Sequence, residues 1–446
     1  MMTRVTAMIA AALAFSSGCE ASPTRFDPPD CAAPDADVHP GEDGDGSTTL
    51  QPRERHGLPV IDICADPDAL DALDAHTDEA SAIEIEALVD YDGVRYEDVE
   101  MELHGGFART VAKKSYRLEF ESDGIPFAFD GEADPDRQRH LVLQASWIDP
   151  TFLRNDLTFA AIRAVGGLAP RTGYAWVDIN GEPWGLYLVI ERIDRRFLER
   201  HALDDDANLY KAVNHHANWV AKVDPLAGFE HKVNEDNPTD DLGPFLTILT
   251  TTPTTAEAFE REVEPVLHLD DWTAYQVVHA LALDQDAFTK NYYLYHDLEA
   301  APGTPRARFR IISWDADATW GRNWNGEPID VATWPGQGLG VAANAWHGRD
   351  GFSPRLLSIP HYRDRYLAYA EAALGGPLEA EVLDDRAARR GADIAAAARA
   401  DLARWQPELD FDAELVTLRA AIDRRHADLR HRVHELREDE DEEDDD

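Results

Sequence analysis

Residues 284–297 read DQDAFTKNYYLYHD, and residues 311–321 read IISWDADATWG. The first run carries Asp284 and Asp286, and the second carries Asp315 and Asp317. YYLYHD and ARFRIIS have the aromatic and β-branched character of two paired strands around a turn containing Pro302-Gly303. A hairpin returns the chain on itself, so it would bring the two acidic clusters together. Carboxylates grouped in this way can hold a cation, act as bases or face water. The rest of the chain has to decide among the three.

Asp286 and Asn291 stand five apart, the Asp-x-x-x-x-Asn spacing of the catalytic loop in protein kinases. The order also matches: acidic loop, hairpin, then an Asp placed to hold metal. ATP phosphates need Mg²⁺ held by a few oxygen ligands, while a separate carboxylate accepts the hydroxyl proton. No His-Arg precedes Asp286 and no Phe-Gly follows Asp315, so the ordinary kinase signature is absent.

A chain of 446 residues is long enough for one large domain or two lobes with tails. Its formal net charge of −44 sets it against nucleic acid and anionic membrane surfaces, which would repel it. Protein partners, if selected by charge, would be basic. Residues 438–446 are nine consecutive acids, read as a disordered, solvated tail.

Residues 1–18 combine one Arg, a short apolar run and small residues, the shape of a secretory signal peptide. The SSGC ending resembles a bacterial lipoprotein cleavage site, with Cys19 as the lipidated residue. That predicts export and anchoring through an N-terminal lipid, with no other contact to a membrane. Cys31 and Cys64 remain as a candidate disulfide in an oxidising compartment. Residues 19–55, rich in Asp, Pro, Gly, Ser and Thr, read as a flexible tether.

From residue 56 the pattern becomes globular and continues to residue 437. AIEIEALVDYDGVRYEDVEMELHG (82–105) alternates around Asp92-Gly93, and YAWVDINGEPWGLYLVIERID (174–194) around Asn180-Gly181; both predict hairpins. KKSYRLEFES (113–122) opens another strand, and TFLRNDLTFAAIRAVGG (151–167) has helical spacing that stops at Gly166-Gly167. Residues 56–241 are therefore expected to be sheet-rich. Residues 242–437 are expected to be helical apart from the opening hairpin, with residues 255–284 and 360–437 reading as helix. An α+β chain of two lobes follows, with its polar motifs near the junction. No internal repeat is evident.

Lysine occupies only positions 113, 114, 211, 222, 232 and 290 among 42 basic residues. In a chain so biased to Arg, the remaining lysines are enriched for places that need a compact charge on a flexible stem, such as a phosphate contact.

HGGFARTVAKKSYRLEF (104–120), FLRNDLTFAAIRA (152–164), VDINGEPWGLYLVIERID (177–194), NLYK (208–211), DAFTKNYYLYHD (286–297) and SWDADATWG (313–321) resemble, in order and wording, the CotH family of spore-coat and secreted kinases. LRAAIDRRHADLRHRV (418–433) is similar to that family's closing helix. HGGFART lacks the Asn-Ser-Ser run usual before the paired lysines.

The resemblance implies an atypical protein-kinase-like, two-lobed fold that transfers the γ-phosphoryl of ATP to serine on protein substrates, with Mg²⁺ or Mn²⁺. Asp286 would be the catalytic Asp, Asn291 and Asp315 the metal ligands, and Asp317 a neighbour of the metals. Lys113 or Lys114, with Lys114 favoured, would contact ATP phosphates. Glu191 would position a lysine or metal, Arg154 occupies a recurrent family position near ATP, and Lys211 and Lys290 are further phosphate candidates. Trp314 is expected in the core rather than stacked on adenine, and Asp284 at a helix end or the surface.

Two other readings use the same residues. One is a non-catalytic surface or coat module on this fold. The other is a metal-dependent hydrolase, which would need ligand spacings that His215-His216 and His296 do not provide.

Overall fold

Asn180 and Gly181 both adopt left-handed backbone, φ 51° and 79°, and so do Asp92 and Gly93, at 49° and 77°. These are the tight turns that the Asn-Gly and Asp-Gly pairs predict. The computed structural model describes residues 52–78, 81–121, 124–237, 241–331 and 351–443. The expected signal peptide, Cys19, Cys31 and the expected tether before residue 52 lie outside the described residues. Cys64 is disulfide-bonded, and its partner lies outside them too.

The first part of the chain is a wound sheet. In order come β1 (Glu54–Arg55), β2 (Leu58–Ala65), α1 (Pro67–Asp74), β3 (Glu84–Tyr91), β4 (Val94–Leu103), β5 (Tyr116–Glu119), β6 (Ile125–Pro126), β7 (Arg137–Gln138), β8 (His140–Gln144), α2 (Arg154–Ala164), β9 (Thr172–Ile179) and β10 (Glu182–Glu191). The large sheet runs β1-β2-β3-β4-β5-β8-β10-β9, and a further parallel pairing of β2 with β9, Ile61 opposite Val177, closes it. Strand alternation divides its side chains into two cores. Ile61, Ile63, Met101, Leu118, Leu143, Val177 and Val189 fill the enclosed side. Val60, Val142, Trp176, Leu188 and Ile190 face outward and join the core of the helical part.

The second part begins with α3 (Arg195–Arg200), β11 (Asn208–Ala212), β12 (Phe229–Val233), α4 (Leu242–Thr251), α5 (Ala256–Glu262) and α6 (Leu269–Leu281). The opening hairpin follows as β13 (Tyr292–His296) and β14 (Arg310–Ser313), and the chain ends with α7 (Ser353–Leu357), α8 (Pro360–Leu374), α9 (Ala380–Trp405) and α10 (Phe411–Glu443). An antiparallel sheet of order β12-β11-β13-β14 lines one side of a cleft.

Two expectations change in detail. The helical pattern over 255–284 is two helices, α5 and α6, parted near Pro265, whose ring cannot continue a helix. The backbone of the acidic run stays helical as far as Glu443, as the continuation of α10, where an unstructured tail was expected. No described helix is long and apolar enough to cross a membrane.

Candidate functional site

The two acidic loops meet because the hairpin and two backbone bonds bring them together. In β13 and β14, Tyr292 pairs with Ser313, which sets Asn291 beside Trp314 and Asp315 at the open end. The Gln285 N–H donates to the Ala318 carbonyl at 3.0 Å and the Trp320 N–H to the Ala282 carbonyl at 2.7 Å. The Asn291 N–H donates to the Ala212 carbonyl at 3.1 Å, adding the end of β11 to the group. Leu283, Phe288, Asn291, Asp315 and Trp320 all have φ between 51° and 65°. Asn and Asp tolerate this backbone, whereas Leu, Phe and Trp adopt it at a cost of about 1–2 kcal/mol each. Strain of this kind clusters at functional loops.

Asp286, Lys290, Asn291, Asp315 and Asp317 line one cavity of about 660 Å³. Lys211, Trp314, His104, Gly105, Gly106, Gln144 and His215 line it as well. Such a volume suits a nucleotide-sized ligand. The Lys290 ammonium lies 2.5 Å from Asp286 Oδ2, and Asn291 Nδ2 donates to the same oxygen at 3.1 Å. Gln144 Nε2 reaches Asp317 Oδ2 at 3.4 Å, while Asn155, buried on α2, donates to Gln144 at 2.7 Å and accepts from the Ala316 N–H at 2.6 Å. A neutral amide pair thus holds the second acidic loop.

The site concentrates negative charge away from water. Burial pushes the Asp286 carboxyl up, with Lys290 opposing and Asp284 and Asp315 adding to the rise. Asp315 is raised by burial against the pull of Lys290 and Lys211, and Asp317 well above the usual range by burial and then by Asp315. A divalent cation would relieve this repulsion. Among the described residues no three His, Cys, Asp or Glu side chains are grouped to hold an ion by themselves. Asn291, Asp315 and Asp317 offer one amide and two carboxylate oxygen donors on one cavity, a donor set that fits Mg²⁺, which takes one or two carboxylates and completes its shell with phosphate oxygens and water.

Four of the proposed ligand contacts are placed elsewhere. Lys113 is 1 % exposed and its ammonium lies 2.6 Å from Asp401 on α9, with the Leu186 and Ala145 carbonyls also accepting from it. Lys114 donates to the Arg109 carbonyl at 2.7 Å, closing its own loop. Glu191 is fully buried between two arginines, 2.8 Å from Arg171 and 2.6 Å from Arg200, because its neighbour Ile190 takes the cavity-facing side of the strand. Arg154 is buried against Asp149 and donates to the Thr319 carbonyl at 2.9 Å, so it braces the second acidic loop from behind. Asp284, expected at a helix end or the surface, lies just past the end of α6 and is buried there, 1 % exposed and 2.7 Å from His279 Nδ1.

Trp314 is 6 % exposed and belongs to the core, yet its ring also forms part of the cavity wall, with the Lys211 ammonium 5.9 Å from its centroid. The sequence gives no site role to His104, Gln144 or Asn155, and it weighs His215 only as a hydrolase metal ligand, whereas His215 lines this cavity. His104 stands just before Gly105-Gly106, and burial followed by the charges of Lys211 and Arg192 holds its pKa well below the usual value. Its Gly-Gly neighbour was the available signal. Gln144 and Asn155 act through partners distant in sequence and carried none.

A family model described as CotH kinase protein matches residues 101–429. Inner spore coat protein H of Bacillus subtilis (strain 168) is 29% identical over 297 residues, which span 65% of this chain and 74% of that protein. Among solved structures, the Helicobacter pylori proinflammatory kinase CtkA aligns with a TM-score of 0.35 at 7% identity, covering 72% of this chain and 94% of that one. A chain of the Shewanella oneidensis MR-1 toxin–antitoxin complex of HipA, HipB and operator DNA aligns at 0.34 and 13% identity, covering 73% and 66%. Likenesses this distant carry no detail of the site.

Proposed function

Because the chain belongs to the CotH kinase family, we propose that it is an exported, Mg²⁺- or Mn²⁺-dependent protein kinase that transfers the γ-phosphoryl of ATP to serine hydroxyls. Its substrates are envelope or secreted proteins, basic in character to suit a chain of net charge −44, and its own chain. The observation that carries this reading is the convergence of Asp286, Lys290, Asn291, Asp315 and Asp317 on one cavity of nucleotide size.

In this reading Asp286, held by Lys290 and Asn291, orients the acceptor hydroxyl and takes its proton. Lys211 and Lys290 face the phosphates as compact charges. Asn291, Asp315 and Asp317 would hold the cation, whose chemistry when bound would be neutralisation of phosphate charge. Val142, Gln144 and Ile190 of the closed sheet and Lys211 and Ala212 of the small sheet face the same cavity as the reacting groups. The reading of residues 1–18 as a secretory signal and of Cys19 as a lipid-bearing residue supports an envelope location for this kinase.

Calorimetry of the purified chain with ATP, with and without Mg²⁺, tests the site, and phosphosite mapping of its envelope fraction and of the chain itself tests the chemistry. Metal-dependent binding with phosphoserine as product is expected. Absence of nucleotide binding would leave a non-catalytic module on the family's fold.

A further inference from the structure

Behind the first acidic loop three buried polar side chains form a line that the proposed chemistry does not use. His279, on α6, is 0 % exposed, and Asp284 and Ser313 are each 1 % exposed. His279 Nδ1 lies 2.7 Å from Asp284 Oδ2, and its Nε2 lies 2.9 Å from Ser313 Oγ. The other oxygen of Asp284, Oδ1, accepts the backbone N–H of Asp286 at 2.8 Å. Asp284 is itself fixed at the helix end, its N–H donating to the His279 carbonyl at 3.0 Å. Ser313 ends β14, two residues before Asp315, and its N–H donates to the Leu168 carbonyl at 2.9 Å.

An ionised carboxylate only accepts, so Nδ1 donates to Asp284, and in the neutral ring Nε2 then accepts the Ser313 hydroxyl. One imidazole therefore touches the anchor of each acidic loop. The same three residue types serve elsewhere as a nucleophilic triad. Here the serine is sealed from substrate and its hydroxyl is engaged inward, so it cannot attack one.

We infer that His279, Asp284 and Ser313 are positioning residues: Asp284 fixes the backbone of Asp286, and His279 ties that loop to the strand end that delivers Asp315. The inference rests on the kinase reading only for its effect on turnover. The side chains that must be replaced touch neither the cavity nor the residues assigned to bind ATP, so the effect should fall on kcat and leave KM alone. The bond pattern also distinguishes geometry from charge. Asp284→Asn can keep the Oδ1 acceptor and donate to the other ring tautomer, whereas Asp284→Ala removes the anchor. His279→Asn retains a donor near the Nδ1 position, and His279→Leu does not.

The test combines hydrogen exchange at the Asp286 amide with steady-state transfer from ATP, on the full chain, with thermal melts as the folding control. Asp284→Ala should speed exchange at Asp286 about tenfold. It should lower kcat about 10- to 100-fold with KM for ATP within about twofold of the parent. Asp284→Asn should stay close to the parent in both readouts, whereas His279→Asn, which keeps a donor for Asp284 but loses the contact to Ser313, should keep the protection of Asp286 and lower kcat. Unchanged protection of Asp286 in Asp284→Ala, or equal damage from Asp284→Asn, would overturn the inference. If Asp284→Ala does not fold, His279→Leu against His279→Asn reads the same contrast in the protection of Asp286, with the same two outcomes. A parent chain that transfers no phosphoryl would sink the kinase reading, while amide exchange would still decide the positioning role.

Discussion

Replacing Lys113 by Met tests whether this lysine binds nucleotide or holds the fold. Its ammonium sits 2.6 Å from Asp401 Oδ2, and the two side chains are 1% and 3% exposed. Burial pushes the lysine's pKa down and that of Asp401 up, and their mutual attraction opposes both shifts. Removing one partner of such a pair leaves a buried uncompensated charge, which costs about 3–5 kcal/mol. The loss falls at a junction, because Asp401 comes from α9 and also accepts the Leu186 N–H of β10 at 2.8 Å. Gly185 makes that approach possible, since a Cβ there would lie 2.2 Å from the carboxylate.

Lys113→Met/Asp401→Asn removes both charges and keeps an acceptor for Leu186, so it should recover most of the loss, to within about 1–2 kcal/mol of the parent. Chemical denaturation of the parent, both single variants and the double variant measures the cycle, and calorimetry with ATP and Mg²⁺ measures the site. Lys113→Met with parental stability and abolished ATP binding would refute the structural role and return this lysine to the phosphates.

Three further outcomes follow from other positions. Burial raises the Asp62 pKa to about 6, against the opposing pull of Arg53 and with a contribution from Asp178. Its folded-state pKa lies above the unfolded value of 3.8, so protonation favours the fold at low pH and that contribution is lost as pH rises from about 4 through 6. Asp62→Asn should flatten this part of the pH–stability curve by roughly 1–2 kcal/mol after solvent screening; an identical slope in parent and variant would contradict it. Glu191→Gln should destabilise by about 3–5 kcal/mol, because it uncouples Arg171 and Arg200, while leaving KM for ATP unchanged in the folded fraction; a KM effect without loss of stability would place it at the site. Lys211→Met should raise KM for ATP about tenfold with little change in melting temperature, as one phosphate-facing charge is lost; an unchanged KM would remove it from the phosphate contacts.

Local signals carried the legible part. Asn180-Gly181 and Asp92-Gly93 announced their turns because left-handed backbone at both positions favours those residues. The hairpin of β13 and β14 was readable for a similar reason, and with it the meeting of Asn291 and Asp315. Closure of the large sheet was not readable, since it depends on a parallel pairing between β2 and β9, strands far apart in the chain.

The same limit governed the lysines. Lys113 and Lys114 are adjacent and alternate in direction, and what decided the fate of Lys113 was Asp401, 288 positions away. Glu191 met Arg171 and Arg200 in place of a lysine because its strand turns Ile190 to the cavity. Asp284 reads as a helix-end or surface acid in isolation, and it does follow the end of α6, but buried. His279, five residues earlier in the last turn of that helix, is the partner that let it be buried.

The central claim is that the cavity around Asp286 and Asp315 transfers phosphoryl groups. Incubation of the chain with γ-labelled ATP, comparing the parent with Asp286→Asn in Mg²⁺ and in excess EDTA, tests it most directly. Label should enter protein only in the parent and only with metal, with Asp286→Asn folded and slower by about 10²- to 10⁴-fold. Equal labelling of parent and Asp286→Asn, or equal labelling in EDTA, would contradict it.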